Sequence, residues 1–197
     1  QNRSLTLMKP IIVTGSEGRI GRYLSDSLEK NGRSVIRVSR RSRDGIIDYE
    51  TLIGSGVMKE ADAIFHSAWS TVPGRAEKEP SLTWTADLPL LAKLLDTLRD
   101  IPDPSRPLFI YPSSGGAIYG NAPDRPNTED DTPSPIGWYG IGKEAAENLI
   151  SRYASAFDLK ACVLRVANPY GLAHDPLVPQ GLIGAAIAAA VNGSELQ

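Results

Sequence analysis

The sequence contains very little cysteine and histidine. Among its 197 residues there are one cysteine, Cys162, and two histidines, His66 and His174. A single cysteine excludes an internal disulfide and any metal site built from cysteines alone. His66 has no cysteine or acidic cluster near it in the sequence, so we expect it to be packed in the fold rather than to bind a metal ion. We therefore predict no metal site.

The sequence also lacks a long hydrophobic segment and a strong charge of either sign. The longest apolar run, residues 182–191, is about half of the roughly 20 residues that a helix needs to cross a bilayer. Residues 1–9 lack the apolar core of a secretory signal. With 21 Lys and Arg against 23 Asp and Glu, the net charge is −2. We therefore expect a cytoplasmic protein that binds neither membranes nor nucleic acids.

What is present is the composition of a packed globular domain. Hydrophobic residues make up 41 % of the chain and charged residues 22 %, which is too apolar for a disordered chain. Short apolar runs alternate with longer amphipathic segments, which predicts a parallel sheet covered by helices on both faces. The expected strands are residues 10–14, 34–39, 62–68, 108–111 and 159–166, and the expected helices are residues 19–30, 82–98 and 142–157.

Three glycines follow the first predicted strand at intervals of three residues and open the first predicted helix. They are Gly15, Gly18 and Gly21, with Arg19 and Ile20 between the last two. In dinucleotide sites such glycines permit a tight turn, a close approach of backbone to pyrophosphate, and close packing of helix on strand. The helix N-terminus adds N–H donors and partial positive charge. The pattern favours a cofactor site at these residues over a flexible turn without a chemical role.

Basic residues follow the second predicted strand, where an Asp or Glu that binds the ribose is typical. Arg40 and Arg41 stand there instead. Guanidinium groups bind a 2′-phosphate bidentately, so the segment favours NADP over NAD, although a solvated basic loop is the alternative. Asp48, a few residues later, either accepts a hydrogen bond from the adenine amino group or is a plain turn residue.

A tyrosine and a lysine lie four residues apart at the start of a predicted helix. This spacing puts Tyr139 and Lys143 on one face, about one turn apart. An ammonium group favours the phenolate, so we expect Lys143 to lower the pKa of Tyr139 and make it a general acid or base. Ser113 and Ser114 follow the fourth predicted strand. The order of glycine turn, serine pair and Tyr/Lys pair supports a reaction centre, because a Tyr/Lys pair alone is usually structural.

Five segments in order resemble the extended branch of the short-chain dehydrogenase/reductase family, which comprises nucleotide-sugar epimerases, dehydratases and reductases. The resemblance covers almost the whole chain and implies an α/β fold with a Rossmann-type, doubly wound parallel sheet. The matching segments are residues 13–21, 64–68, 111–120, 134–143 and 164–171.

The resemblance also implies roles for individual residues. Tyr139 would exchange a proton with a sugar hydroxyl while hydride moves to or from a nicotinamide, and Lys143 would also hold the nicotinamide ribose. Ser114 would orient the reacting oxygen, with Ser113 as the alternative, and Asn168 would hydrogen-bond the substrate.

Three further positions complete this comparison with the family. Ala68 and Val166 would contact the cofactor. Asp87 stands where the resembling enzymes usually have asparagine, which adds a charge at that position.

The loop after the serines discriminates between reactions of the family. Dehydratases carry an acidic pair there, whereas this chain has Gly115, Gly116 and Ala117, which cannot transfer a proton. Dehydration is therefore disfavoured. The resemblance favours an epimerase, while Arg40 and Arg41 favour a keto-sugar reductase, since NADPH suits net reduction.

The resemblance divides the chain into two parts. Residues 1–170 would form the dinucleotide-binding domain with the catalytic residues. Residues 171–197 would begin a substrate-binding region that is largely absent from this chain, since relatives continue well beyond this point. We expect a small-molecule substrate of the nucleotide-sugar class, and a homodimer. The alternative function is a non-catalytic NADP-binding regulatory module.

Overall fold

The protein was analysed as a computed structural model, which describes residues 8–121, 124–169 and 182–195. Its elements alternate along the chain as the apolar pattern predicts. The strands are β1 (Ile11–Thr14), β2 (Val35–Ser39), β3 (Ile46–Asp48), β4 (Ala63–His66), β5 (Leu108–Ser114) and β6 (Ala161–Val166). The helices are α1 (Arg19–Lys30), α2 (Tyr49–Gly54), α3 (Pro73–Lys78), α4 (Leu88–Arg99), α5 (Trp138–Phe157) and α6 (Leu182–Asn192).

The six strands form one parallel sheet in the order β3-β2-β1-β4-β5-β6. The order runs in opposite directions on the two sides of the boundary between β1 and β4. In open sheets of this kind, ligands bind beyond the carboxyl ends of the strands at such a boundary. This topology confirms the predicted Rossmann-type fold and locates the expected site.

Several element boundaries differ from those predicted. The three-residue strand β3 was missed because Ile46–Asp48 is too short to show a period. Strand β5 extends to Ser114, since its last two residues pair with Arg165 and Val166 of β6. Helix α5 begins at Trp138, four residues before its predicted start. The two serines therefore lie within a strand, and the Tyr/Lys pair lies in the first turns of α5.

Additional helical segments connect the predicted elements. Helices α2 and α3 and a 3₁₀ turn at Val57–Glu60 lie between strands or before α4, and a π-helical turn at Thr83–Asp87 runs directly into α4. Of the predicted substrate-binding region, the structure describes α6, whereas residues 170–181, including His174, lie outside the described residues. No helix among the described residues is both long and apolar enough to cross a membrane.

The leucines of α4 form the centre of the hydrophobic core. Leu91, Leu94, Leu95 and Leu98 are at most 1 % exposed. They pack with sheet residues such as Ile64 and with residues of α5 in one cluster. Full burial of such a side chain stabilises the fold by about 1.5–3 kcal/mol. The core thus fixes α4 against the sheet and holds the π turn at the carboxyl ends of the strands.

Candidate active site

The turn after β1 leaves no room for side chains at two of its glycines. Gly15 has a φ of +64°, and a Cβ atom there would lie 2.7 Å from the backbone nitrogen of Ala68. A Cβ atom on Gly21 would collide with the carbonyl oxygen of Gly15. Both neighbours are backbone atoms, which cannot move aside at low cost. The glycines therefore allow α1 to pack closely against the turn and the segment after β4.

Hydrogen bonds fix the glycine turn that precedes α1. The N–H of Gly18 donates to the carbonyl of Gly15 at 2.9 Å, and both the N–H and the hydroxyl of Ser16 donate to the carbonyl of Val38 at 3.1 Å. Gly18 precedes the helix and offers no side chain to cap it. An uncapped helix N-terminus presents N–H donors and a positive dipole end, which suits an anion such as a phosphate.

A cavity of about 770 Å³ lies beside this turn. This volume is within the range of about 300–1,000 Å³ typical of small-molecule sites. Its wall combines the segments after β1, β2 and β4 with the first residue of α2 and the region of the π turn. The lining residues are Gly15, Glu17, Gly18, Ser39, Arg40, Arg41, Arg43, Tyr49, Ser67, Ala68, Trp69, Ser70, Ala86, Asp87 and Leu90.

The predicted arginine pair lines this cavity. Arg40 and Arg41 are exposed, and neither forms an ion pair with another described residue. Arg43, from the same segment, pairs instead with Glu17 at 3.0 Å. The charge of Arg43 is thus already balanced, whereas the two preceding guanidinium groups have charge to offer an anion in the cavity.

Asp48 acts as a turn residue in this structure. It precedes α2, and its Oδ1 accepts a hydrogen bond from the N–H of Thr51 at 2.8 Å, while its Oδ2 accepts one from the Ser42 hydroxyl at 3.1 Å. These bonds, that of Thr51 first, lower the pKa of Asp48. Asp48 is therefore a helix cap, and its contact with an adenine ring stays a prediction.

Lys143 is buried against aromatic rings, and it donates hydrogen bonds to residues other than Tyr139. Its Nζ donates to the Tyr111 hydroxyl and to the Pro112 carbonyl, both at 3.1 Å, and lies 4.2 Å from the centroid of the Trp69 ring. Burial lowers its pKa to about 7. Because Trp69 lines the cavity, the lysine lies directly behind the cavity wall.

The expected lowering of the Tyr139 pKa by Lys143 is wrong for this structure. The pKa of Tyr139 is raised, chiefly by burial and then by the charge of Asp87. The ammonium group of Lys143 donates its hydrogen bonds to Tyr111 and Pro112, and it lies 5.7 Å from the centroid of the Tyr139 ring. What favours the phenolate here is a side-chain hydrogen bond with Ser114.

The two serines differ in their surroundings. Ser114 is half-buried and acts on the pKa of Tyr139, whereas the Ser113 hydroxyl is buried and has no hydrogen-bond partner among the described residues. Successive residues of a strand point to opposite faces, which explains the difference. Which of the two serines orients a substrate oxygen stays a prediction.

The glycines within the Tyr/Lys motif explain how the start of α5 approaches the neighbouring loop and the π turn so closely. A Cβ atom on Gly140 would collide with the carbonyl oxygen of Ala117, and one on Gly142 would lie 2.6 Å from Thr83 and 3.3 Å from Trp69. Glycine at both positions therefore lets the start of α5 pack against the loop after β5 and against the π turn.

His66 is a packed residue, as predicted. It is buried, its Nδ1 lies 2.7 Å from the Thr14 hydroxyl, and its ring stacks near Phe109 and Tyr111. Burial, helped by the charge of Lys143, lowers its pKa to about 3, so it is neutral near pH 7. Among the described residues, no group of three or more His, Cys, Asp or Glu side chains could hold a metal ion.

The remaining predicted residues lie outside the cavity wall. Arg19 and Ile20 form the start of α1, and Asn168 is exposed after β6. Val166 lines a separate cavity of about 480 Å³ at the edge of the sheet, together with Glu147 and other residues near β6. Their contacts with cofactor or substrate stay predictions.

A comparison with protein families identifies the family of this chain. The model of the NAD dependent epimerase/dehydratase family matches residues 11–197. The chain belongs to this family.

Individual relatives of this epimerase/dehydratase chain include two curated enzymes and a solved structure. UDP-glucose 4-epimerase of Mycolicibacterium smegmatis is 27 % identical, over 87 % of this chain and 60 % of its own length. dTDP-4-dehydrorhamnose reductase of Streptomyces griseus is 28 % identical, over 71 % of this chain and 44 % of its own. The structure of UDP-glucose 4-epimerase of Thermotoga maritima with UDP-glucose is 30 % identical with a TM-score of 0.77, over 94 % of this chain and 64 % of its own. The chain thus spans about 60 % or less of the curated relatives it matches.

The site of this epimerase/dehydratase chain fits the dinucleotide that the family name implies. The turn packed at its glycines, the uncapped start of α1, and the exposed Arg40 and Arg41 form one continuous wall. Sequence reasoning missed much of the opposite wall, namely Trp69 and Ser70 after β4, and the π turn. A usable signal for the first two was their position directly after a predicted strand; the π turn had none.

Proposed function

We propose that this chain is the cofactor-binding and proton-transfer part of an NAD(P)-dependent enzyme that acts on nucleotide sugars. The proposal rests on one observation above all. The Nζ atom of a buried lysine, Lys143, lies 4.2 Å from the ring centroid of Trp69 in the cavity wall and 5.7 Å from that of Tyr139, whose pKa is lowered by Ser114 and raised by burial. A non-catalytic NADP-binding module has no need of such a group, because burying a lysine costs free energy.

In the proposed mechanism, the nicotinamide supplies the hydride acceptor or donor when it is bound. Tyr139 takes the proton from a substrate hydroxyl during oxidation of the carbon that bears it, and returns a proton to the carbonyl oxygen during reduction. Ser114 donates or accepts a hydrogen bond at the same oxygen. Ser114 also lowers the pKa of Tyr139, and Lys143 would hold the nicotinamide ribose when the cofactor is bound.

Two reactions follow from these steps. Oxidation of a sugar hydroxyl followed by reduction from the opposite face gives an epimer, and a single reduction of a keto-sugar gives an alcohol. The relatives named epimerases support the first, and the relative named dTDP-4-dehydrorhamnose reductase supports the second. Dehydration is disfavoured, because Gly115, Gly116 and Ala117 beyond Ser114 offer no second acid or base.

We further propose NADP as the preferred cofactor. Arg40 and Arg41 line the cavity without a balancing ion pair among the described residues, which suits a 2′-phosphate. The family name refers to NAD, so a preference for NADP is a more specific claim than membership of the family. We also propose that residues from about 171 onward begin the part that binds the sugar, and that the protein forms a homodimer.

Replacing Tyr139 by Phe tests the enzyme proposal. We expect turnover of UDP-glucose or of dTDP-4-dehydrorhamnose to fall by about 10²–10⁴-fold, because the proton donor is lost. Cofactor affinity should change little, since Tyr139 is not part of the cavity wall. Turnover is measured by product analysis and affinity by calorimetric titration with NAD and NADP in parallel.

Tyr153→Phe is the matched control. Tyr153 lies on the same helix, with its hydroxyl bonded to Asp96 at 2.8 Å, and its loss should leave turnover unchanged. Turnover that persists in Tyr139→Phe would contradict the proposed role of this tyrosine.

A further inference from the structure

The first turn of α5 carries Tyr139 but is intrinsically weak as a helix. Glycine occupies positions 137, 140 and 142, and glycine is a poor helix former. The first N–H groups of a helix have no acceptor within the helix. A side chain at the preceding residue commonly supplies one, but that residue is Gly137, which has none. The turn that holds Tyr139 therefore needs an acceptor from elsewhere in the fold.

The acceptor is the side chain of Glu77, from the neighbouring helix α3. Its Oε1 accepts a hydrogen bond from the backbone N–H of Trp138, the first residue of α5, at 2.9 Å. A Cβ atom on Gly137 would lie 2.8 Å from the same oxygen, so the carboxylate occupies the space that a capping side chain would take. Its negative charge also suits the positive end of the α5 dipole. Glu77 thus caps α5 from a different part of the chain.

Helix α3 is itself fixed to the wall of the cavity. The Nη1 atom of Arg75 donates to the carbonyl of Ser70 at 3.2 Å, and Ser70 lines the cavity. Ala76, between Arg75 and Glu77, is fully buried and anchors the helix. A series of bonded segments therefore runs from the cavity wall through α3 to the residue before Tyr139.

We propose that Glu77 is a positioning residue for Tyr139. Its carboxylate fastens the first turn of α5 to α3, and α3 keeps that turn at a fixed distance from the cavity wall. Reaction rates fall steeply when the reacting groups are displaced by about 1 Å, so loosening the turn should slow the reaction without weakening binding. The inference deepens the proposed function and rests on it, because it assigns Tyr139 the proton transfer.

Amide hydrogen exchange, measured by NMR on the full chain, tests the bond without turnover. The N–H of Ile141 donates to the Gly137 carbonyl at 3.0 Å, at the start of α5. In Glu77→Ala we expect this amide to exchange about tenfold faster, because the first turn opens more often. Glu77→Gln keeps an oxygen acceptor and should stay within about threefold of the wild type.

Glu60→Ala is the matched control for the exchange measurement. It removes an exposed carboxylate from the 3₁₀ turn Val57–Glu60 and should leave the Ile141 amide unchanged. Glu77 is exposed as well, so its loss leaves the hydrophobic core intact. Unchanged exchange in Glu77→Ala would overturn the proposal. Exchange as fast in Glu77→Gln as in Glu77→Ala would also overturn it, because the charge rather than the hydrogen bond would then act.

A second substitution separates attachment to α3 from simple capping of α5. Gly137 has an extended backbone, with φ −95° and ψ 159°, which is the conformation of a capping residue. The atoms within 4 Å of a Cβ at this position belong to Glu77, so Glu77→Ala makes room for Gly137→Ser. In this double variant the serine hydroxyl caps α5, and we expect Ile141 exchange to return to within about threefold of the wild type.

Steady-state kinetics then tests the effect on the reaction. With UDP-glucose or dTDP-4-dehydrorhamnose we expect kcat of Glu77→Ala to fall about tenfold, while KM and cofactor affinity stay within about twofold. Glu77→Gln should retain kcat, and the double variant should remain as slow as Glu77→Ala, because its α5 is capped but not attached to α3. Recovery of kcat in the double variant would overturn the positioning role. A wild type that turns over no nucleotide sugar would overturn the proposed function, whereas faster exchange in Glu77→Ala would still support the attachment of α5 to α3.

Discussion

The two ends of the cavity are built from different parts of the chain. At the glycine end, backbone meets backbone: Gly15, Gly18 and Gly21 form the turn, and Ser16 ties it to β2 through the Val38 carbonyl. At the other end, Trp69, Ser70 and Asp87 line the cavity, and Tyr111 of β5 and Lys143 of α5 pack behind Trp69. Several buried polar atoms in this region have no hydrogen-bond partner among the described residues, namely His66 Nε2, Trp69 Nε1, Thr83 Oγ1, Asp87 Oδ2 and Ser113 Oγ.

This difference separates binding from chemistry. Backbone donors at a helix start bind a phosphate with no titratable group and little freedom to adjust. Buried titratable side chains have charge states that their surroundings set, as for Lys143, whose pKa burial lowers to about 7. We infer that the glycine end tolerates no change of shape, whereas the reaction end responds mainly to changes of charge and proton donors.

The largest effect should come from Gly21→Val at the backbone end. The added side chain would collide with the carbonyl of Gly15 and meet the Ser67 hydroxyl, so α1 must move away from the turn. We expect cofactor affinity to fall by about 100-fold or more, measured by calorimetry.

Gly74→Ala is the control for this change. A Cβ atom at Gly74, in α3, has nothing within 4 Å, so affinity should be unchanged. Near-normal affinity in Gly21→Val would mean that the backbone end is more adaptable than its packing indicates.

The next largest effect should come from Ser114, and the neighbouring Ser113 serves as its comparison. Ser114→Ala removes the hydrogen bond to Tyr139, and we expect kcat to fall by about 10²-fold with cofactor affinity retained. Ser113→Ala removes a buried hydroxyl without a partner among the described residues and should leave kcat within a few-fold of wild type. The reverse order of effects would assign the orienting role to Ser113. Steady-state kinetics measures both variants.

The same contrast explains what could be predicted from the sequence. The glycine spacing, the alternation of strands and helices and the Tyr/Lys spacing are local patterns, and they predicted a parallel sheet covered by helices and the position of the turn. The resemblance to the family added the Rossmann-type, doubly wound fold. The direction of the Tyr139 pKa shift was wrong, because burial of the phenol raises its pKa, while Lys143 donates its hydrogen bonds to Tyr111 and Pro112. A spacing of four residues places the two side chains on one helix face but carries no information about Tyr111 and Trp69.

Asp87 illustrates the same limit at one residue. The sequence marks it only as a departure from asparagine. Its burial and its bond to Ser70 arise from the π turn at Thr83–Asp87, and a π turn has no distinct sequence period. Residues brought together by close packing of separate segments are therefore the part of the site that the sequence does not reveal.

The smallest expected effect concerns Arg40 and Arg41, which line the glycine end of the cavity. The double change Arg40→Ala and Arg41→Ala should weaken NADP binding by about 10–100-fold, because a charge-assisted, bidentate contact with the 2′-phosphate is lost. NAD binding should change less than about threefold. Lys78→Ala with Arg152→Ala removes the same charge from exposed helix positions and should alter neither affinity. Equal losses of NAD and NADP affinity in the double variant would indicate general electrostatic attraction. Tighter binding of NAD than of NADP by the wild type would overturn the NADP preference and favour the epimerase over the reductase.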